Sequence, residues 1–220
     1  MQSKIKIKLL IGGILTLLFA FLNVGLKIID VQNIGPQNSE IGFATINEFF
    51  KNIIGVNEIW YDITELLGLL PIVTVLGFGI FGLIQFIKGK SLKKVDKDLI
   101  VLAIFYVVVV AIYIFYEIVV INYRPILIEG ELEPSFPSSH ILLAIGIMGT
   151  AIMKFQYRIK NKVLKVSAIS ISSLIILCTV VGRARSGVHW FTDILGGILI
   201  SVALVLFYGA IIERIKKKEV

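Results

Sequence analysis

Acidic and basic side chains punctuate this chain at long intervals. Between them lie six stretches with neither: Leu9 to Leu26, Leu66 to Ile87, Leu99 to Tyr116, Pro134 to Met153, Val166 to Gly182 and Ile194 to Ile212. Each is close to the roughly 20 mostly apolar residues that one bilayer crossing needs. The pattern predicts an all-α membrane protein whose six transmembrane helices form a bundle. The third stretch is expected to continue past Glu117 to Tyr123, which leaves one acid inside it, and an ionisable group within a span calls for a reason. The first stretch follows Lys4, Lys6 and Lys8 as a secretory signal would. It lacks a small-x-small cleavage site and leads into further spans, so it reads as a retained helix.

Composition agrees with this pattern. Of 220 residues, 57% are apolar and only 17% charged, and the mean hydropathy is +0.92, whereas soluble domains hold about 25% charged residues. Six spans consume roughly 120 residues. No sizeable soluble domain fits in the rest, and the whole chain, 1–220, reads as a single integral-membrane domain. One cysteine, Cys178, excludes an intramolecular disulfide, and two histidines without a cysteine cluster are too few for a His-rich metal site.

The net charge of +7 would fit nucleic acid, but its placement does not. Lys and Arg in short loops stay on the cytoplasmic side. Lys4 to Lys8, Lys88 to Lys97, Lys154 to Lys165 and Arg214 to Lys218 together hold 17 of the 22 basic residues. Both termini are therefore expected in the cytoplasm, and the charge is a topological address with no nucleic-acid partner. The other five are Lys27, Lys51, Arg124, Arg183 and Arg185. In the first outer connection, Phe43, Ile46, Phe49, Phe50, Ile53 and Ile54 recur at helical spacing opposite Asn47, Glu48 and Lys51. This fits a helix lying in the outer interface; a segment packed on the bundle fits equally well. Trp60, Tyr61 and Trp190 suit an aromatic belt.

The same topology gathers chemistry at one depth. The third span ends at Tyr123-Arg124-Pro125, the fourth begins at Pro137-Ser138-Ser139-His140, the fifth ends at Gly182-Arg183-Ala184-Arg185, and the sixth begins at His189 with Asp193 four residues on. Both histidines and three arginines thus meet at the outer side. On a helix, positions i and i+4 share a face, so Asp193 is expected to accept from one ring nitrogen of His189 and aim the other outward. A histidine so held serves as nucleophile or base. Ser138 and Ser139, at a helix start, offer hydroxyls and free backbone N–H groups to an anion. Arginine forks match phosphate oxygens. Taken singly, each feature has an ordinary structural explanation: an interfacial histidine, an Arg-Pro helix end, a Ser-Ser N-cap. Together they take up both histidines of the chain, in order and on one side.

These residues resemble the signature of the type 2 phosphatidic acid phosphatase superfamily. Its three motifs, Lys-x6-Arg-Pro, Pro-Ser-Gly-His and Ser-Arg-x5-His-x3-Asp, read here as Glu117-x6-Arg124-Pro125, Pro137-Ser138-Ser139-His140 and Gly182-Arg183-x5-His189-x3-Asp193. Gly196-Gly197 is also similar. The resemblance implies a catalytic set of His189, His140 and Asp193. His189 attacks phosphorus, Asp193 orients it, and His140 protonates the leaving alkoxide and then activates water. Arg124, Arg183, Ser138 and Ser139 hold the equatorial oxygens. It implies no metal and no cofactor; Glu129, Glu131 and Glu133 read as the solvated edge of a loop.

Three positions depart from the pattern. Gly182 replaces serine and loses a hydroxyl donor, Ser139 replaces glycine, and Glu117 stands where the family has lysine. Seven residues is nearly two helical turns, so Glu117 is expected on the face of Arg124, about 10 Å deeper. Arg185 is a candidate for the missing positive charge. The implied activity is hydrolysis of a lipid phosphate or pyrophosphate at the non-cytoplasmic face of the cell membrane. Undecaprenyl pyrophosphate, phosphatidic acid and phosphatidylglycerol phosphate are the substrates the resemblance offers. Two other readings stay open: a lipid phosphotransferase with an acceptor other than water, and a non-catalytic lipid-binding or transport protein with a degenerate first motif. Cys178, inside the fifth span, reads as packing.

Overall fold

The computed structural model describes residues 2–218. Among them the chain is helical and forms no strand. Six helices are long and apolar enough to cross a membrane: α1 (Gln2–Ile28), α3 (Glu58–Gly89), α4 (Lys97–Ile118), α5 (Ser139–Arg158), α6 (Lys162–Ser186) and α7 (Phe191–Lys218). A shorter α2 (Ala44–Ile54) occupies the first long connection. Six crossings in one chain make this a multi-pass membrane protein, as the spacing of charges predicts. Rows of exposed Leu, Ile, Val and Phe, such as Leu17, Phe21, Leu66, Val73 and Val107, run along the helices. In water that surface would be intolerable; in a bilayer it is the solvent-facing surface.

Packing between spans follows the small-residue rule for helices in lipid. Gly12 lets the Phe207 ring approach α1 so closely that a Cβ there would lie 2.7 Å from it. Lys8 of α1 and Glu213 of α7 pair at 2.7 Å. Deeper in the bundle, Phe19, Tyr116 and Phe136 pack as a three-ring cluster with centroids 5.7 to 5.9 Å apart. Phe136 belongs to the segment just before α5, so this cluster ties the loop that precedes the fourth span to α1 and α4. The second span is the loosest: Thr64 and Pro71 are its buried residues.

Two boundaries differ from expectation. The third span stops at Ile118 and does not reach Tyr123. Residues 119 to 138 instead form an irregular loop held by antiparallel bridges between Tyr123 and Pro134 and between Ile128 and Glu131. The fourth span starts at Ser139, five residues later than the charge-free stretch; Pro134 and Pro137 supply no N–H and restrict the residues before them. This span also carries a π-helical turn at Ala144–Met148. Helix α2 coincides with the predicted amphipathic segment. Asn47, fully buried, donates to the Gly42 carbonyl and the Thr192 hydroxyl at 2.9 and 3.0 Å, while Phe49 and Ile53 remain exposed.

Candidate active site

Each candidate side chain is delivered by a local device that the sequence encodes. Helix α6 ends at Ser186, and Gly187 reverses the chain with φ at +72°. A Cβ at Gly187 would sit 2.1 Å from the Gly55 carbonyl oxygen, so both the conformation and the close approach demand glycine. The chain then presents His189 in the turn before α7. Asp193, in the first turn of α7, reaches back and accepts the Trp190 N–H at 2.8 Å. This is the acidic half of a capping box. His189 therefore does not lie on the helix with Asp193, as the i, i+4 rule assumed. The pairing arises from the cap, with Nδ1 of His189 at 3.7 Å from the same Asp193 oxygen. That distance is beyond hydrogen-bond range. Asn122 and Ser135 also approach the Asp193 carboxylate.

The segment before α5 is anchored on the same turn. The Ser138 N–H donates to the Asp193 carbonyl at 3.1 Å, and Gly196 and Gly197 make room for Phe136, Ile141 and the Ser138 carbonyl. Ser138 is fully buried, and its hydroxyl has no protein partner. Arg124 is fixed by its own N–H, which donates to the Glu133 carbonyl at 3.0 Å. Its guanidinium Nε lies 3.0 Å from a Glu133 carboxylate oxygen. Glu133 is therefore not simply a solvated loop edge, unlike its expected role. The Trp190 indole donates to the Tyr123 carbonyl at 2.7 Å, locking this loop to the His189 turn.

Arg183, fully buried on α6, donates through Nη2 to Oε1 of Glu65 at 2.7 Å. The other oxygen of Glu65 is 3.4 Å from Nε2 of His140. Glu65 lies one residue before the second charge-free stretch and belongs to none of the three motifs. The only hint was its spacing with Tyr61 and Gly68 along one face of α3.

The predicted residues thus come together. Arg124, Arg183 and His140 all lie within electrostatic range of His189, and His189 shares a narrow crevice with Ser135, Ser139, Tyr113 and Glu117. Arg183 and Arg124 also bear on His140. Of 18 buried side-chain polar atoms without a hydrogen bond among the described residues, 12 belong to Asn122, Arg124, Ser135, Ser138, His140, Arg183, His189 and Asp193; of these, Nε of Arg124 is ion-paired with Glu133, and Asn122 and Ser135 lie close to the Asp193 carboxylate. Native proteins satisfy nearly all such atoms. Their concentration at one place, with both arginine forks and a helix start, offers donors of the kind that can hold a multi-oxygen anion. Burial, then the charges of Arg124 and Arg183, hold the His189 pKa well below its usual 6.5. The imidazole is therefore neutral, as a nucleophile must be. Among the described residues no group of three or more His, Cys, Asp or Glu has a geometry that could hold a metal ion.

The departures from the signature acquire physical reasons. A Cβ at Gly182 would lie 2.4 Å from Thr64 Cγ2, so the glycine is where α6 closes on α3. Arg185 is exposed and makes none of the site's ion pairs, so it does not replace the missing lysine. Glu117 lies in the last turn of α4 and lines the His189 crevice. The expected helical offset of about 10 Å does not apply, because the helix ends before Arg124. A second, apolar groove of about 780 Å³ runs between α3 and α4, from Phe86 and Leu99 to Ile114, one residue from Tyr113.

Residues 119–217 match the family model of the PAP2 superfamily. No curated protein matches the chain. In fold the chain is similar to the crystal structure of the first transmembrane PAP2 type phosphatidylglycerolphosphate phosphatase from Bacillus subtilis. The TM-score is 0.57, with 19% sequence identity, 93% of this chain and 96% of that one being covered. The family match begins after Glu117, so the likeness of the first three spans is one of fold alone.

Proposed function

With residues 119–217 matching the PAP2 superfamily, this chain is, we propose, a phosphatase that hydrolyses a lipid phosphate or pyrophosphate without a metal ion. The observation that carries the reading is that Arg124 and Arg183 lie within electrostatic range of His189, all three with buried, unpaired polar atoms, while the buried Ser138 hydroxyl on the neighbouring segment is also unpartnered. The guanidinium forks, the Ser138 hydroxyl and the α5 N–H groups hold the three equatorial oxygens and gain strength as charge develops. Neutral His189 attacks through Nε2 and breaks the bond between phosphorus and the leaving oxygen. His140 gives that oxygen a proton. In the second step His140 takes a proton from water, the resulting hydroxide attacks phosphorus, and His189 leaves. Asp193 steadies the imidazolium through Nδ1 once the 3.7 Å separation closes.

The apolar groove between α3 and α4 favours a substrate whose tail stays in lipid. The bias of basic residues towards the opposite end of the spans supports a site at the non-cytoplasmic face, with both termini in the cytoplasm and α2 in the outer interface. Phosphatidylglycerol phosphate, phosphatidic acid and undecaprenyl pyrophosphate form the test panel. Detergent-purified protein in chelator should release inorganic phosphate from at least one, and His189→Ala should lose activity by about a thousandfold or more. No release on any lipid, or equal release by H189A, overturns the proposal. A phosphorylated acceptor in place of inorganic phosphate identifies a transferase.

A further inference from the structure

The second span contributes a carboxylate to the site that no signature motif contains. We infer that Glu65 is a positioning residue for the proposed reaction: one oxygen holds Arg183 and the other holds Nε2 of His140, so that a single group sets the phosphate clamp and the proton donor together. The inference rests on the phosphatase reading and adds to it a fourth wall, the α3 face of Tyr61, Glu65 and Gly68.

Three observations support it. Arg183 spends only Nη2 on Glu65, at 2.7 Å, and its Nε and Nη1 have no partner. The guanidinium can therefore bind phosphate while Glu65 stays in place, and Glu65 is not a stand-in that substrate must expel. The Tyr61 ring lies beneath the same guanidinium, 5.5 Å from its carbon, one turn before Glu65. Two α3 residues thus grip an arginine that is otherwise buried without a counter-charge.

The third observation concerns His140. Its Nε2 faces Glu65 at 3.4 Å, and its Nδ1 is buried with no partner. One turn further along α3, Gly68 makes the approach possible: a Cβ there would lie 2.9 Å from His140 Cδ2 and 3.0 Å from Nε2. With Nε2–H donated to the carboxylate, Nδ1 is the nitrogen that exchanges the proton. In the first step Nδ1–H passes its proton to the leaving oxygen as the P–O bond breaks; in the second, Nδ1 receives one from water. The other charged and titratable groups facing this ring are Arg183 of α6, Arg124 of the 119–138 loop and His189 of the turn before α7. Both arginines oppose an imidazolium, and the carboxylate is the nearby charge that favours one, so its loss must weaken the ring's hold on a proton.

The test is a pH–rate profile of Glu65→Gln on whichever lipid phosphate the wild type hydrolyses. The amide keeps the shape and loses the charge. Expected are a kcat lower by about 10- to 100-fold, as for other outer partners of catalytic groups, a KM changed by less than about threefold, and an alkaline limb moved to lower pH by about one unit. Glu65→Asp, which keeps the charge, should return the limb towards its wild-type position. A wild-type limb and kcat in E65Q overturn the inference while leaving the phosphatase reading intact. An inactive wild type overturns both. If E65Q cannot be purified folded, Gly68→Ala decides: crowding His140 away from the carboxylate should move the limb in the same direction, and an unmoved limb overturns the inference.

Discussion

The two ends of the bundle hold similar numbers of ionic groups and use them in opposite ways. At the end where α3, α4 and α5 meet the basic loops, Lys154 donates to the Asp98 carboxylate and carbonyl, both at 2.6 Å. Arg158 bridges Asp96 at 2.8 Å and Asp98 at 2.6 Å, and Gln85 exchanges bonds with Asp96. This network is nearly closed: apart from the buried Nε of Arg158, its members satisfy one another, and they fasten three helices. At the other end Arg124, Arg183, His140 and His189 keep unpaired polar atoms. Leaving such atoms unsatisfied costs folding energy, about 1–3 kcal/mol each, and a ligand that bonds them recovers it. Near-saturation fits a structural cluster, and a concentration of unpaired atoms fits the proposed binding site.

The sharpest way to break this contrast is to cut the nearly closed network. Lys154→Met removes a buried cation, and Asp98 retains only Arg158. Loss of one partner of a buried pair costs about 3 kcal/mol, so the Tm in detergent should fall by several degrees. The kcat of protein that remains folded should be unchanged, since this network touches nothing at the other end. A large loss of kcat with an unmoved Tm would erase the distinction between the ends.

Arg124→Lys is the matching change at the open end. Lysine keeps the charge and loses the planar fork. Phosphate release should drop about 100-fold, equivalent to about 2.7 kcal/mol of transition-state stabilisation, with little change in Tm. A lysine variant as active as wild type would show that Arg124 acts only as a charge.

Gly182→Ser restores the residue of the family signature and should still harm the protein. Its Cβ would meet Thr64 Cγ2 at 2.4 Å and the Trp60 ring at 3.0 Å. Overpacking of this kind costs about 2 kcal/mol, and moving α3 away from α6 would also loosen Glu65 from Arg183. Thermal scans and a kcat measurement check both effects; a stable, more active G182S would mean the lost hydroxyl mattered and the packing did not.

What could be read from the chain divides along the same line. The gaps between charges gave the six spans, because burying an unpaired charge in lipid is costly wherever it occurs. The order of spans then put His140, His189, Arg124 and Arg183 at one end. Partners set by packing were not legible. Glu65 stood outside the drawn span, Glu133 looked like a loop charge, and the end of α4 at Ile118 depends on a bridged loop with no strong stop signal before Arg124. The same loop removed the helical relation assumed between Glu117 and Arg124, and a cap, not a shared helix face, brought Asp193 to His189.

His189 carries the smallest expected effect, and it couples the open end to global stability. Burial first, and Arg124 and Arg183 next, depress its pKa in the folded protein well below 6.5. An unfolded chain takes up the proton near 6.5, while the folded one does not. As pH falls through that value the unfolded state binds more protons, so stability must decline on acidification. From pH 7.5 to 5.5 the loss is at most about 1.4 kcal/mol for this one group. His189→Gln removes the titration and keeps a polar side chain. Its Tm should fall less between those two pH values than that of the wild type, in phosphate-free buffer. Equal falls would mean that the folded and unfolded chains titrate the ring alike, so that burial and the arginines do not hold it neutral; a smaller fall in the wild type would mean that the ring is protonated in the resting protein, and a protonated ring has no lone pair with which to attack phosphorus.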